Sequence, residues 1–160
     1  MSRAESISGI MKSSTQKEIE VEIKMKGIFL NFMSYNDFTE MRVWQLAMEI
    51  VAETYSLTEK LPKKEDYALC GQMRNAAISI PANIAEGFGR WHRKDKINFY
   101  LYSRGSACEE RSHLLCGKNV GYLTDEEILP ISNKCKQVVE ELNRIMKGFN
   151  SKSLNLNLNP

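Results

Sequence analysis

Residues 124–149 read TDEEILPISNKCKQVVEELNRIMKGF. Ile128, Ile131, Cys135, Val138, Leu142, Ile145 and Phe149 recur there at steps of three and four, the spacing that aligns side chains along one stripe of an α-helix. Thr124 and Glu127 stand in capping-box relation, in which the hydroxyl and the carboxylate each accept a hydrogen bond from the other residue's backbone N–H. The segment therefore predicts a long amphipathic helix with one buried edge. Such an edge needs partners.

Three further periodic segments precede it. A first helix is expected from about Thr39 to Leu57, with Val43, Ala47, Ile50, Thr54 and Leu57 on one stripe and Trp44, Met48, Val51 and Tyr55 on the next. Two adjacent apolar stripes exceed what one core uses, so the second stripe is expected to meet another subunit. A second helix is expected to open at Pro62, with Glu65 and Asp66 in its first turn. Its inner face reads Leu69, Met73, Ala76, Ile80 and Ile84. Pro81 removes one donor and crowds the Ala77 carbonyl, which predicts a kink. Gly87 and Gly89 are expected to end that helix, because glycine takes a left-handed cap at little steric cost. The third helix starts near Lys94, passes Phe99, Tyr102, Ser106, Leu114 and Cys116, and stops at Gly121.

Helices of roughly 18–27 residues span about 27–40 Å, and short connections between them make antiparallel neighbours the simplest packing. The expected fold is all-α: an antiparallel up-down-up-down four-helix bundle over residues 37–150. Residues 1–36 are expected to form a flexible or loosely docked leader. Its Ile19, Val21, Ile23 and Met25 alternate with polar residues in a strand-like period, and Met33 offers an alternative start. Residues 151–160, in which Leu and Asn alternate, are expected to form a flexible tail.

Composition narrows the function classes. The chain has 160 residues, enough for one domain with a real core, and its 42% hydrophobic and 26% charged residues suit a globular protein. Twenty-two Lys and Arg against 20 Asp and Glu leave a formal charge of +2, so any nucleic-acid surface must come from local clustering. Cys70, Cys108, Cys116 and Cys135 show no paired spacing and suit a reducing, cytoplasmic compartment, filling small core spaces. No segment reads as an export signal or a membrane span.

Catalytic and cofactor chemistry finds no foothold. Glu110-Arg-Ser-His113 supplies one Glu-x-x-His unit of the kind that di-iron bundles use, but a second is missing, since Gly89 stands three residues before His92. His113 is expected instead to pair with Glu109 or Glu110 along its helix. Neither histidine accompanies a nucleophile signature, and Gly87-Phe-Gly89 leads into Arg90 and not into a phosphate-binding Lys-Ser/Thr. The expectation is no enzyme, no metal and no cofactor.

Two segments remain. Asn83, Glu86 and Arg90 lie within two turns beside Pro81, and with Glu109 they suggest a structural polar network that satisfies groups freed by the proline and the helix end. Arg90-Trp-His-Arg-Lys-Asp-Lys96 is a basic connection bearing an aromatic ring. Arg90, Arg93, Lys94 and Lys96 suit phosphates and Trp91 suits a base, the two devices that single-strand binders combine. Copies around a ring would add through effective concentration.

Several strings together carry a resemblance: Val43-Trp44-Gln45 with Ala47, Leu61-Pro62 with Glu65, Gln72-Met-Arg with Ala76-Ala77, Ser79-Ile-Pro-Ala-Asn-Ile-Ala-Glu-Gly87, Gly89-Arg90, and Arg104-Gly-Ser106 with Glu109. From about Phe38 to Phe149 the chain resembles the four-helix-bundle family of 23S ribosomal RNA intervening-sequence proteins. That family is similar to the accessory variability determinant of diversity-generating retroelements, a bundle that forms a pentameric ring and works with a reverse transcriptase and nucleic acid. The resemblance implies a homopentamer with a positively charged surface and does not imply ribosome membership. Trp91-His92 departs from the small polar residues more usual there. The resulting expectation is a non-catalytic oligomeric scaffold that binds RNA or DNA weakly and electrostatically, accessory to a reverse transcriptase or other nucleic-acid enzyme. The alternative is a protein-protein adaptor with no nucleic-acid contact.

Overall fold

The computed structural model describes residues 35–155 together with Gln16, with side chains described through Phe149. The leader's strand-like alternation and residues 156–160 lie outside the described residues. The remainder is helical, with no strand among the described residues. A 3₁₀ turn, Phe38–Glu40, precedes α1, Arg42–Thr58; a second, Lys63–Glu65, precedes α2, Leu69–Gly89; α3 spans Arg93–Asn119 and α4 spans Asp125–Asn155. The α4 backbone thus stays helical through Ser151–Asn155, past the expected end of the bundle.

Each helix touches its neighbours in sequence, and α1 also touches α4. The α1 stripe of Val43, Ala47, Ile50, Thr54 and Leu57 is buried as its period predicts. So is the α4 edge from Ile128 to Phe149. On α2, Met73, Ala76, Ile80 and Ile84 are buried, with Leu69 packed partly against them. Removing such apolar faces from water is the main force holding the helices together.

The helix ends explain where the sequence expectations shift. Pro62 precedes a 3₁₀ turn, and α2 begins seven residues later than expected, at Leu69. Glu65 still serves the α2 dipole, because its carboxylate accepts a hydrogen bond from the Leu69 amide at 3.5 Å and another from the Tyr122 hydroxyl at 3.2 Å. The helix continues through the buried Pro81. One turn of α3 packs against that point, where the Ser103 hydroxyl donates to the Ile80 carbonyl at 2.9 Å.

Neither Gly87 nor Gly89 is left-handed. Both are helical, and α2 ends by an extended Arg90 with φ −72° and ψ 138°. Gly87 is needed for another reason: a Cβ there would lie 2.7 Å from the Tyr100 ring of α3. The left-handed glycine is Gly121, φ 80°, after α3. Around it the Tyr122 amide donates to the Gly117 carbonyl at 2.9 Å and the Gly121 amide to the Lys118 carbonyl at 3.0 Å, the paired bonds of a Schellman ending.

The α4 capping box forms as read, with the Glu127 amide on the Thr124 hydroxyl at 3.3 Å and the Thr124 amide on the Glu127 carboxylate at 3.0 Å. Of the residues that trace α3 in the sequence, Leu114 is buried whereas Tyr102 and Cys116 are exposed. The buried stripe is Tyr100, Ser103, Ala107, Glu110, Leu114 and Gly117. Cys70 and Cys135 fill core positions, but Cys108 and Cys116 face out, so only half of the cysteines are core fillers.

Two glycines should separate these effects in denaturant unfolding. Gly87→Ala forces the Tyr100 ring and Phe99 to move and should cost about 1–3 kcal/mol. Gly105→Ala, where a Cβ meets nothing within 4 Å, should stabilise by roughly 0.5–1 kcal/mol. Thr124→Ala should cost about 1 kcal/mol through loss of the cap.

Candidate functional site

The connection between α2 and α3 consists of Arg90, Trp91 and His92, and its shape follows from what closes α2. Lys96, one turn into α3, sends its ammonium back to the last α2 carbonyls, 2.6 Å from the Phe88 oxygen and 3.3 Å from that of Gly87. A cation at a helix C-terminus satisfies bare acceptors and meets the negative end of the dipole. The same ammonium sits 5.7 Å above the Phe88 ring. Burial holds its pKa below the ordinary lysine value.

Arg90 is likewise directed by its surroundings. Its guanidinium bonds to Glu86 one turn earlier and stacks 4.6 Å over the Phe99 ring. Trp91, in contrast, is 92% exposed. His92 and Lys94 are exposed beside it, and Arg93 is half-buried. The five residues read as a nucleic-acid surface therefore divide. Trp91 and Lys94 face solvent, Arg93 is half-buried, Arg90 is held between Glu86 and Phe99, and Lys96 is a cap.

The residues read as one polar network make separate local contacts. The Asn83 amide donates to the Ser79 carbonyl at 2.8 Å, Glu86 pairs with Arg90, and Glu109 lies 3.7 Å from the His113 ring nitrogen. Glu109 is one of the two partners expected for His113, but at 3.7 Å it is beyond hydrogen-bond reach, and the His113 Nε2 is buried without a hydrogen-bond partner. The polar contact at the centre of the molecule is another one, which the sequence reading did not single out.

Glu110 is 0% exposed, and the Thr54 hydroxyl of α1 donates to its Oε1 at 2.8 Å. Its Oε2 is buried without a hydrogen-bond partner. Burial pushes its pKa up to about 7, with the Thr54 bond opposing and the neighbouring Glu109 charge reinforcing the rise. Cys135 on α4 responds to the same environment. Burial, aided by the Glu110 charge, pushes its thiol up to about 12, so it is a packing group and not a nucleophile.

The signal for Glu110 was present in its heptad-like spacing with Tyr100, Ser103, Ala107, Leu114 and Gly117, but an acid on that stripe reads as surface. Among the described residues no group of three or more His, Cys, Asp or Glu stands together as a metal site. No described helix is long and apolar enough to cross a membrane.

Comparison with known proteins now adds to the geometry. The pattern of the family described as 23S rRNA-intervening sequence protein matches residues 39–144, which cover α1, α2, α3 and most of α4. No curated protein matches the chain. Among solved structures, the chain is similar to a protein of unknown function from the S23 ribosomal protein family of Bacteroides thetaiotaomicron, with a TM-score of 0.61 and 24% identity. The alignment covers 66% of this chain and 98% of that one, and at this identity the likeness speaks for the fold alone. Neither description names a catalytic activity. The extent of the family match over the helical region places the assignment on the whole fold: the chain belongs to the 23S rRNA-intervening sequence protein family.

Proposed function

We propose that this protein is a non-catalytic, oligomeric helical-bundle scaffold that binds RNA or DNA weakly through the α2–α3 connection and serves a nucleic-acid enzyme such as a reverse transcriptase. The observation that carries the reading is Trp91, 92% exposed next to Arg93 and Lys94. A large aromatic ring gains nothing from water, and beside cations it offers a face on which a base can stack while phosphates meet the charge. The family's name, which refers to an intervening sequence of 23S rRNA, is consistent with a nucleic-acid setting.

The scaffold itself is read as an antiparallel up-down-up-down bundle. The three-residue α2–α3 connection and the closing contact between α1 and α4 support that course. The pentameric ring rests on the family resemblance; assembly as such also draws on Met48 and Tyr55, each 41% exposed on the second α1 stripe, whose Trp44 and Val51 pack against the core of the same chain. Four unbridged cysteines suit a cytoplasmic setting. A second reading, a protein-protein adaptor without nucleic-acid contact, rests on the same exposed α1 residues.

A salt titration with mixed-sequence single-stranded RNA separates these readings. Binding should weaken steeply from low to physiological salt, and neutralising Arg93 or Lys94 should each lower the log–log salt slope by about one. Trp91→Ala should cost roughly 1–3 kcal/mol per stacked base while leaving that slope unchanged. Salt-independent binding, or binding indifferent to all three substitutions, would sink the proposal. Lys96→Met should behave differently, costing about 1.5 kcal/mol of fold stability through the lost cap and little phosphate affinity. Solution mass together with the absorbance ratio of natively purified protein reports assembly and carried nucleic acid in one measurement.

A further inference from the structure

Glu110 joins two helices whose backbones do not come close. No Cα atom of α1 lies within 8 Å of one in α3, yet the Thr54 hydroxyl reaches the Glu110 carboxyl across the core at 2.8 Å. An ionised carboxylate in that position must keep a bare, buried Oε2 out of water. The neutral acid keeps the Thr54 bond and avoids most of the desolvation cost.

We infer that Glu110 is a proton-operated latch of the bundle: neutral, it lets α1 and α3 close over a dry Oε2, and ionised, it loosens the core by admitting water to Oε2. Among the described residues no compensating cation is buried with it. On α3 its neighbours are Glu109, which disfavours a second negative charge, and Arg111, whose Nε donates to the Ser132 hydroxyl of α4 at 3.2 Å. One turn on, His113 lies against Glu109. From α4 comes the buried Cys135 thiol, and on α1 Glu53, next to Thr54, is taken by Lys134. The buried face of α2 carries one ionisable side chain, Cys70.

The direction of the effect follows from proton linkage. An unfolded glutamate releases its proton near 4.5, whereas folded Glu110 holds it to about 7. Between those values the folded state binds the extra proton, so this stabilisation is complete below about pH 4.5. It is lost progressively as pH rises through about 7, and levels off above that. From pH 5 to 8 the folding equilibrium should weaken by about a hundredfold on account of this one group.

Three substitutions make the test discriminating. In the intact protein, infrared difference spectra should show a neutral carboxyl that titrates near pH 7 and is absent in Glu110→Gln. Thr54→Val removes the hydrogen bond that favours the ionised form and should move that titration up. Glu109→Gln removes a neighbouring negative charge and should move it down. Hydrogen exchange of α1 and α3 amides, corrected for intrinsic rates, should accelerate above pH 7 in the native chain and not in Glu110→Gln. If Glu110→Gln does not fold, the opposite shifts in the other two variants still decide the matter. A chain with no carboxyl titrating above pH 6, or one whose titration leaves α1 and α3 exchange unchanged, overturns the latch.

Discussion

At Gly87 the α2 backbone is bare, and α3 lays the buried Tyr100 ring so near it that a Cβ there would lie 2.7 Å from the ring. Much of the rest follows from that contact. With the helices so near, Ser103 reaches the Ile80 carbonyl beside Pro81, and Lys96 reaches the final carbonyls of α2. The chain turns from one helix to the other in three residues, and the Trp91 indole in that turn is 92% exposed.

The same close packing sets the electrostatics of the core. Protein interiors leave little space for water around a charged group. Glu110, surrounded by buried apolar side chains, therefore holds its proton far more firmly than a surface acid. The Thr54–Glu110 bond is a side-chain link between α1 and α3. It sits well away in function from the exposed connection, which reads nothing of the core and presents only surface side chains.

The helical content and most of the buried edges were legible because apolar residues on α1, α2 and α4 repeat with the helix period. The capping box at Thr124 and Glu127 was legible because its two hydrogen bonds are local. The α3 face was harder to read. Its buried stripe includes Ser103, Glu110 and Gly117, so the periodic apolar signal is weak, and exposed Leu101, Tyr102 and Leu115 compete with it. Gly87 shows the same difficulty: a glycine near a helix end reads as a left-handed cap, whereas its actual use is to admit a ring from another helix.

The basic connection was visible as a string of cations around an aromatic residue, but its division of labour was not. One-dimensional proximity places Arg90, Trp91, Arg93, Lys94 and Lys96 together. Only the folded chain assigns Lys96 to helix carbonyls, Arg90 to Glu86 and Phe99, and Trp91 to solvent. Sequence alone determined four amphipathic helices and their approximate limits, since hydrogen bonding and side-chain period are set within a few residues. The burial of Glu110, its bond to Thr54, and the exposure of Trp91 were decided by tertiary structure, because each depends on side chains that meet only after distant helices pack.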